Sequence, residues 1–163
     1  KTIDSANQIE ANLRVVLVGD TLAKFTEQEA HRDYFVHMKR LFNAIASDIA
    51  DEVGATAILT GENLGQVSSQ TLGNLGAVEE ASRFRILRPL LGLDKQEIID
   101  EARILGTYEI STGPELCDAL GPQRPTTVAD LNRLRENEKN QGGLEKLAKS
   151  CLNSLRTRSL NSE

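Results

Sequence analysis

Two short runs of mostly aliphatic residues, LRVVLV at Leu13–Val18 and ATAILT at Ala55–Thr60, constrain the fold of this chain more than any other feature. Neither alternates regularly with polar residues, so each reads as a strand covered on both faces, the pattern of a parallel sheet under helices. Between them Phe35, Met38, Leu41, Phe42, Ile45, Ile49 and Val53 recur at three- and four-residue steps and stop at Gly54. That spacing predicts one long amphipathic helix closed by a glycine. A strand, a helical crossover and a second strand predict parallel pairing of the two runs. RFRILRPL supplies a third, weaker strand around Arg85–Leu87.

Further along, DKQEIIDEARILG predicts a helix with Asp94 as N-cap and Glu97 completing a capping box; Ile98, Ala102 and Leu105 share a face and Gly106 ends it. TTVADLNRLRENEKN predicts another, capped by Thr127, with Val128, Leu131 and Leu134 as a narrow apolar stripe. After QGG, Leu144, Leu147, Cys151 and Leu155 mark a last helix. The one long irregular stretch, TGPELCDALGPQRPT from Thr112 to Thr126, carries three prolines and two glycines. Loops of that length are more often functional than idle. A chain of 163 residues fits a single domain. Its expected parts are an α/β core over about 13–110, the cysteine-containing loop 112–126 and C-terminal helices over 127–157.

Charge and cysteine usage narrow the function. A net charge of −5 argues against a protein devoted to coating nucleic acid, whose affinity comes from lysines and arginines. No apolar run approaches the roughly 20 residues that span a bilayer, and the polar N-terminus lacks a signal-peptide core, so a cytoplasmic protein without membrane contact is expected. Cys117 and Cys151 form no C-x-x-C pair, and His31 and His37 lie far upstream, so no metal site is indicated. The two histidines read as polar-face helix residues, and Cys151, on the stripe with Leu144 and Leu147, as core filler.

The loop TGENLGQVSSQT, Thr60–Thr71, leaves the carboxyl end of the second predicted strand, where ligands of parallel sheets settle. Gly61 and Gly65 allow close backbone approach, and SSQT can cap the helix that follows through Leu72 and Leu75. Read alone, the loop is either an anion or nucleotide site without the usual phosphate-binding lysine, or a glycine turn followed by an ordinary helix cap at Ser68. Arg83, Arg85 and Arg88 are expected close to it, with Arg83 and Arg85 on one strand face, facing either a phosphate or RNA backbone or salt-bridge partners.

Three segments in order, AILTGENLGQVSSQTLGNL, ILRPLLGLDKQEIIDEARILGTYEIS and a cysteine followed by GPQRPTT, resemble the tRNA 4-thiouridine synthetase (tRNA sulfurtransferase) family, which is also linked to thiamine biosynthesis. The resemblance runs from about Tyr34 to the C-terminal helix. It implies a Rossmann-like PP-loop ATP pyrophosphatase domain, a parallel sheet flanked by helices. In the family, ATP adenylates O4 of a tRNA uridine and sulfur then displaces AMP. Carried over by position, Lys39, Gly61 and Gln70 would contact the nucleotide, and Lys95, the lysine of the DK pair, would serve catalysis. Cys117 matches the cysteine that pairs with a persulfide-carrying cysteine to release sulfur. A cation in the first turn of a capped helix is disfavoured by the helix dipole, which suits Lys95 to an anionic transition state.

The family's SGGxDS phosphate loop has no counterpart in this sequence, nor have its RNA-binding and rhodanese domains. The N-terminal strands and PP-loop are therefore expected to lie outside the chain, together with most of the magnesium site that accompanies ATP. tRNA would be bound through other domains or partners, sulfur would come from a persulfide donor protein, and a homodimer is compatible with the family. The chain alone is expected not to turn ATP over. The alternatives are a noncatalytic adenine-nucleotide or interaction module, and another PP-loop enzyme such as a GMP-synthetase-like or tRNA-modifying ligase.

Overall fold

The computed structural model describes residues 11–64, 71–113 and 120–159. Strand β1 (Asn12–Val15) leads through helix α1 (Gly19–Ala23), a 3-10 turn at Lys24–Thr26 and the short helix α2 (Gln28–His31) into α3 (Tyr34–Val53). Strand β2 (Ala57–Leu59), helix α4 (Leu72–Glu79) and strand β3 (Arg85–Leu87) follow, then α5 (Lys95–Ile104) and α6 (Tyr108–Ser111). Helices α7 (Leu131–Asn140) and α8 (Leu144–Leu152) and strand β4 (Arg156–Ser159) complete the described chain.

Helix α3 is the spine. Its apolar residues are spread widely enough to serve two cores. On one side Tyr34, Leu41, Ala44 and Ile45 pack with Leu22 and Phe25 and with Leu147, Ala148 and Cys151 of α8. On the other, Val36 meets Ala77 and Val78 of α4 and Leu134 of α7. The helix ends as its sequence predicts: Gly54 takes φ 67°, and the Ala55 N–H reaches back 2.8 Å to the Ala50 carbonyl, satisfying the last turn. Cys151 is buried in the first core, as expected of filler, with its thiol 3.2 Å from the Thr21 hydroxyl.

The α/β class holds, but the strand pairing expected for Leu13–Val18 does not. Strands β2 and β3 pair in parallel, with Ile58 opposite Ile86. Strand β1 instead pairs antiparallel with β4, Leu13 opposite Arg158 and Val15 opposite Arg156. Leu13 and Val15 stay about half exposed, at 48% and 47%, so this strand is a surface ribbon and not a doubly covered one. The remaining aliphatics of the run do their burying after the ladder ends: Val16 and Val18 pack on the first core. Strand β4, RTRS, has no apolar residue to announce it, so the expectation that the chain ends in helices fails there.

One helix start is where its sequence predicts and two are displaced. At α5 Asp94 accepts from the Glu97 N–H at 2.9 Å while the Glu97 carboxylate accepts from the Asp94 N–H at 2.7 Å, the expected capping box. At α4 the cap is Thr71, three residues later than the expected Ser68; its hydroxyl accepts from the Asn74 N–H at 3.2 Å. Helix α7 is capped by Asp130, not Thr127. The Asp130 carboxylate accepts from the N–H groups of Asn132 and Arg133 at 2.8 and 3.1 Å and carries a charge that the helix N-terminus favours. Val128 consequently lies outside the helix and is 74% exposed.

Candidate functional site

Strands β2 and β3 end side by side, and the segments leaving them are stitched together. The Thr60 N–H donates to the Leu87 carbonyl at 3.0 Å, the Leu64 N–H donates to the Leu91 carbonyl at 3.2 Å, and the buried Asn63 amide donates to the Leu93 carbonyl. Leu93 is two residues before Lys95, a span of at most about 7 Å. The stitching therefore brings Lys95, exposed in the first turn of α5, to the same end of the sheet as Gly61. A Cβ built on Gly61 would meet nothing within 4 Å, so the space over its backbone is open.

Lys39 reaches this loop from the second turn of α3. Its ammonium donates to Glu62 Oε1 at 2.9 Å, and Arg88, just beyond β3, donates from Nε to Glu62 Oε2 at 2.9 Å. Arg88 also holds Glu79 at the end of α4, at 2.8 Å. Burial pushes the Glu62 carboxyl toward its neutral form, but the bonds and charges of Lys39 and Arg88 outweigh it and hold the pKa below the ordinary value. Glu62 is thus an anion shared by two cations, and because Arg88 also pairs with Glu79 the four charges balance. Beside it lies a cavity of about 190 Å³ whose walls include Met38, Phe42 and Val78, with Thr60, Glu62 and Lys39 at its polar side.

Of the site residues named from sequence, Lys39, Gly61 and Lys95 are brought to one end of the parallel pair, whereas Gln70 and Cys117 lie outside the described residues. The cysteine loop is tied down at its far side. The His31 ring donates to the Leu120 carbonyl at 3.0 Å, Gly121 packs so closely on the Phe35 ring that a Cβ would collide with it, and the Thr126 N–H donates to the Arg32 carbonyl at 3.0 Å. Among the three arginines expected near the site only Arg88 reaches it. Arg83 pairs with Asp48 at 2.7 Å, nine residues and about 13 Å further along α3 than Lys39.

His37 corrects another expectation. It is fully buried, stacked on Phe25 at 4.4 Å, with Nδ1 3.4 Å from Glu138. Several polar residues passed over in the sequence prove structural here. Buried Asn74 donates to the Thr126 carbonyl at 2.9 Å and accepts from the Ala129 N–H at 2.8 Å, fastening the chain that follows the cysteine loop. Buried Arg40 donates to Glu138 at 2.6 and 3.0 Å and to Glu80 at 2.7 Å. Among the described residues no three His, Cys, Asp or Glu side chains converge on a metal position, and no helix is long and apolar enough to cross a membrane.

Known proteins match this chain across most of its length. The tRNA sulfurtransferase of Psychromonas ingrahamii is 43% identical over 118 residues, covering 72% of this chain and 24% of that protein. A probable tRNA sulfurtransferase of Moorella thermoacetica is 40% identical over 147 residues, covering 88% of this chain and 37% of its own length. This chain therefore spans well under half of these relatives. Among solved structures, a crystal structure of a 4-thiouridine synthetase and RNA complex with bound ATP superposes with a TM-score of 0.85 at 33% identity, over 93% of this chain and 40% of that one. The likeness carries the expected PP-loop fold class. The sequence model of the thiamine biosynthesis protein (ThiI) family matches residues 2–142, and the chain belongs to that family.

Proposed function

We propose that this chain supplies one half of the ATP site of a tRNA sulfurtransferase, in which ATP adenylates O4 of a tRNA uridine and a persulfide sulfur then displaces AMP to give 4-thiouridine. The observation that carries the reading is the arrival of Lys39 on the Gly61–Glu62 loop, beside an apolar cavity, at the carboxyl ends of two parallel strands. Ligands of parallel sheets occupy that position. The relative crystallised with RNA and ATP supports both the nucleotide and the tRNA substrate.

In this reading the Lys39 ammonium faces the phosphate chain, bare Gly61 lets it approach the backbone, and Gln70 adds an amide contact. Lys95 offsets the negative charge that grows on the α-phosphoryl group as the uridine oxygen attacks and pyrophosphate leaves. Magnesium would accompany the ATP phosphates, held by residues outside this chain, since Glu62 is already engaged by two cations. Cys117 would accept the spent donor cysteine in a disulfide as sulfur is released. The same persulfide route would provide sulfur for the thiamine thiazole. tRNA and the sulfur donor would dock on domains or partners beyond this chain.

The cavity of about 190 Å³ favours a limit on this activity: it is smaller than the roughly 300–1,000 Å³ of complete ligand pockets. With no SGGxDS loop, the chain by itself is expected to bind ATP without converting it to AMP and pyrophosphate. Calorimetric titration of ATP tests the site. Lys39→Ala should weaken binding roughly tenfold, the scale of one hydrogen bond to a charged group, and Gly61→Val should weaken it by blocking the backbone. Equal affinity in both variants removes the assignment. Pyrophosphate release by the pure chain, abolished in Lys95→Ala, would refute its inactivity.

A further inference from the structure

We infer that Glu62 is a positioning residue for Lys39, and that Arg88 acts on the nucleotide through Glu62 without being the primary phosphate contact itself. The inference rests on the proposed nucleotide role of Lys39. Lysine is a point charge on a flexible four-carbon stem, and an unsupported lysine would have to surrender its rotamer freedom each time a phosphate binds. Here that ordering is done in advance. Glu62 and Lys39 have side chains only 11% and 18% exposed, and the 2.9 Å bond takes one of the three ammonium donors, leaving two for an anion.

A carboxylate beside a phosphate site would ordinarily oppose the ligand. Arg88 removes that objection. Its Nε binds the second oxygen of Glu62, its side chain is 9% exposed, and its own position is fixed from the other side by Glu79. The charge of Glu62 is therefore spent on two cations, while its geometry holds Lys39 at the mouth of the cavity. The remaining guanidinium nitrogen, Nη2, is buried with no hydrogen-bond partner among the described residues. The arrangement joins three elements far apart in sequence, α3, the loop after β2 and the segment after β3, in a contact that a surface ion pair would not need.

The test is a double-mutant cycle in the full 163-residue chain, with ATP titration as one readout and the ammonium resonance of Lys39 in the nucleotide-free protein as the other. Glu62→Gln keeps the size of the side chain and removes its charge. It should weaken ATP binding roughly fivefold, the scale of ordering one rotamer-rich side chain, and broaden or erase the Lys39 ammonium signal. In a Lys39→Ala background Glu62→Gln should have no further effect, because it acts through that lysine. An additive loss, or tighter ATP binding in Glu62→Gln, would show a merely structural or competing carboxylate and overturn the inference. An unchanged ammonium signal would overturn it without reference to ATP. Should Lys39→Ala itself leave ATP affinity untouched, the nucleotide reading fails instead, a result distinct from the others.

Discussion

Glu138→Ala should be strongly destabilising. Arg40 is 2% exposed, and its Nε and Nη2 donate to the two Glu138 oxygens at 2.6 and 3.0 Å. Removing Glu138 leaves a guanidinium in the core with half of its engagement gone, since only Glu80 and the Ala77 carbonyl remain. Breaking one side of a buried pair costs about 3–5 kcal/mol, and the surviving Glu80 contact, with its side chain 37% exposed, places this case near the lower end. For a chain of this size about 3 kcal/mol lowers Tm by roughly 6–12 °C. Urea unfolding followed by circular dichroism should show a lower midpoint with an unchanged slope. A companion variant, Arg40→Met with Glu138→Leu, should lose less than Glu138→Ala alone, because no unpaired charge remains. A loss below about 1 kcal/mol for Glu138→Ala, or a double variant less stable than the single, would refute the buried-charge argument.

Other perturbations separate local from global effects. Gly54→Ala places a Cβ on a residue with φ 67° and should destabilise by about 1–2 kcal/mol in the same unfolding assay, although nothing crowds the added carbon. Asp94→Ala removes the cap of a helix with no fully buried residue; it should speed amide exchange in the first turn of α5 while global stability falls by about 1 kcal/mol or less. Acid should unfold the chain in a defined direction. At Asp33, Glu80 and Glu138 burial pushes the carboxyl pKa up, but Arg133, Thr126 and His37 at Asp33, Arg135 and Arg40 at Glu80, and His37 followed by Arg40 at Glu138 bring each below its ordinary value. Groups depressed in this way contribute stability above the unfolded carboxylate pKa of about 4, and lose it as pH falls through the folded values. Melts in mildly and strongly acidic buffer should record that loss, with a shallower fall in Glu138→Ala.

How much of this was legible in the sequence depended on whether an element carries its own signal. Helix α3 announces itself through apolar spacing and a terminal glycine, and α5 through Asp94 and Glu97, because caps and periodicity are local. Strand β4 was invisible: Arg156–Ser159 is extended only because β1 offers it a ladder, and the same absence of local signal hid the antiparallel pairing of Leu13–Val15. The aliphatic run at Leu13 misled because its apolar residues are used in two ways, some on an exposed ribbon and some, Val16 and Val18, in the core beyond it. Thr127 misled because two cap-forming residues three positions apart, Thr127 and Asp130, compete, and the acid also gains from the helix dipole.

The site divides along the same line. Gly61 could be suspected from its place after a strand, but Lys39 had no distinguishing local feature and entered only through family likeness. What neither route supplied is the partner set, because Glu62 and Arg88 meet Lys39 through tertiary pairing. The neighbouring residues Lys39 and Arg40 show how the fold uses that pairing. Successive side chains on a helix point about 100° apart, so Arg40 is directed into the buried pair with Glu138 while Lys39 is directed to Glu62 at the sheet end. Together with the two apolar cores that seat α3, the anchored arginine resists rotation of the helix, and with it a change in the direction in which the adjacent lysine leaves it. Glu138→Ala, beyond its effect on stability, is therefore expected to loosen Lys39 in the folded molecule.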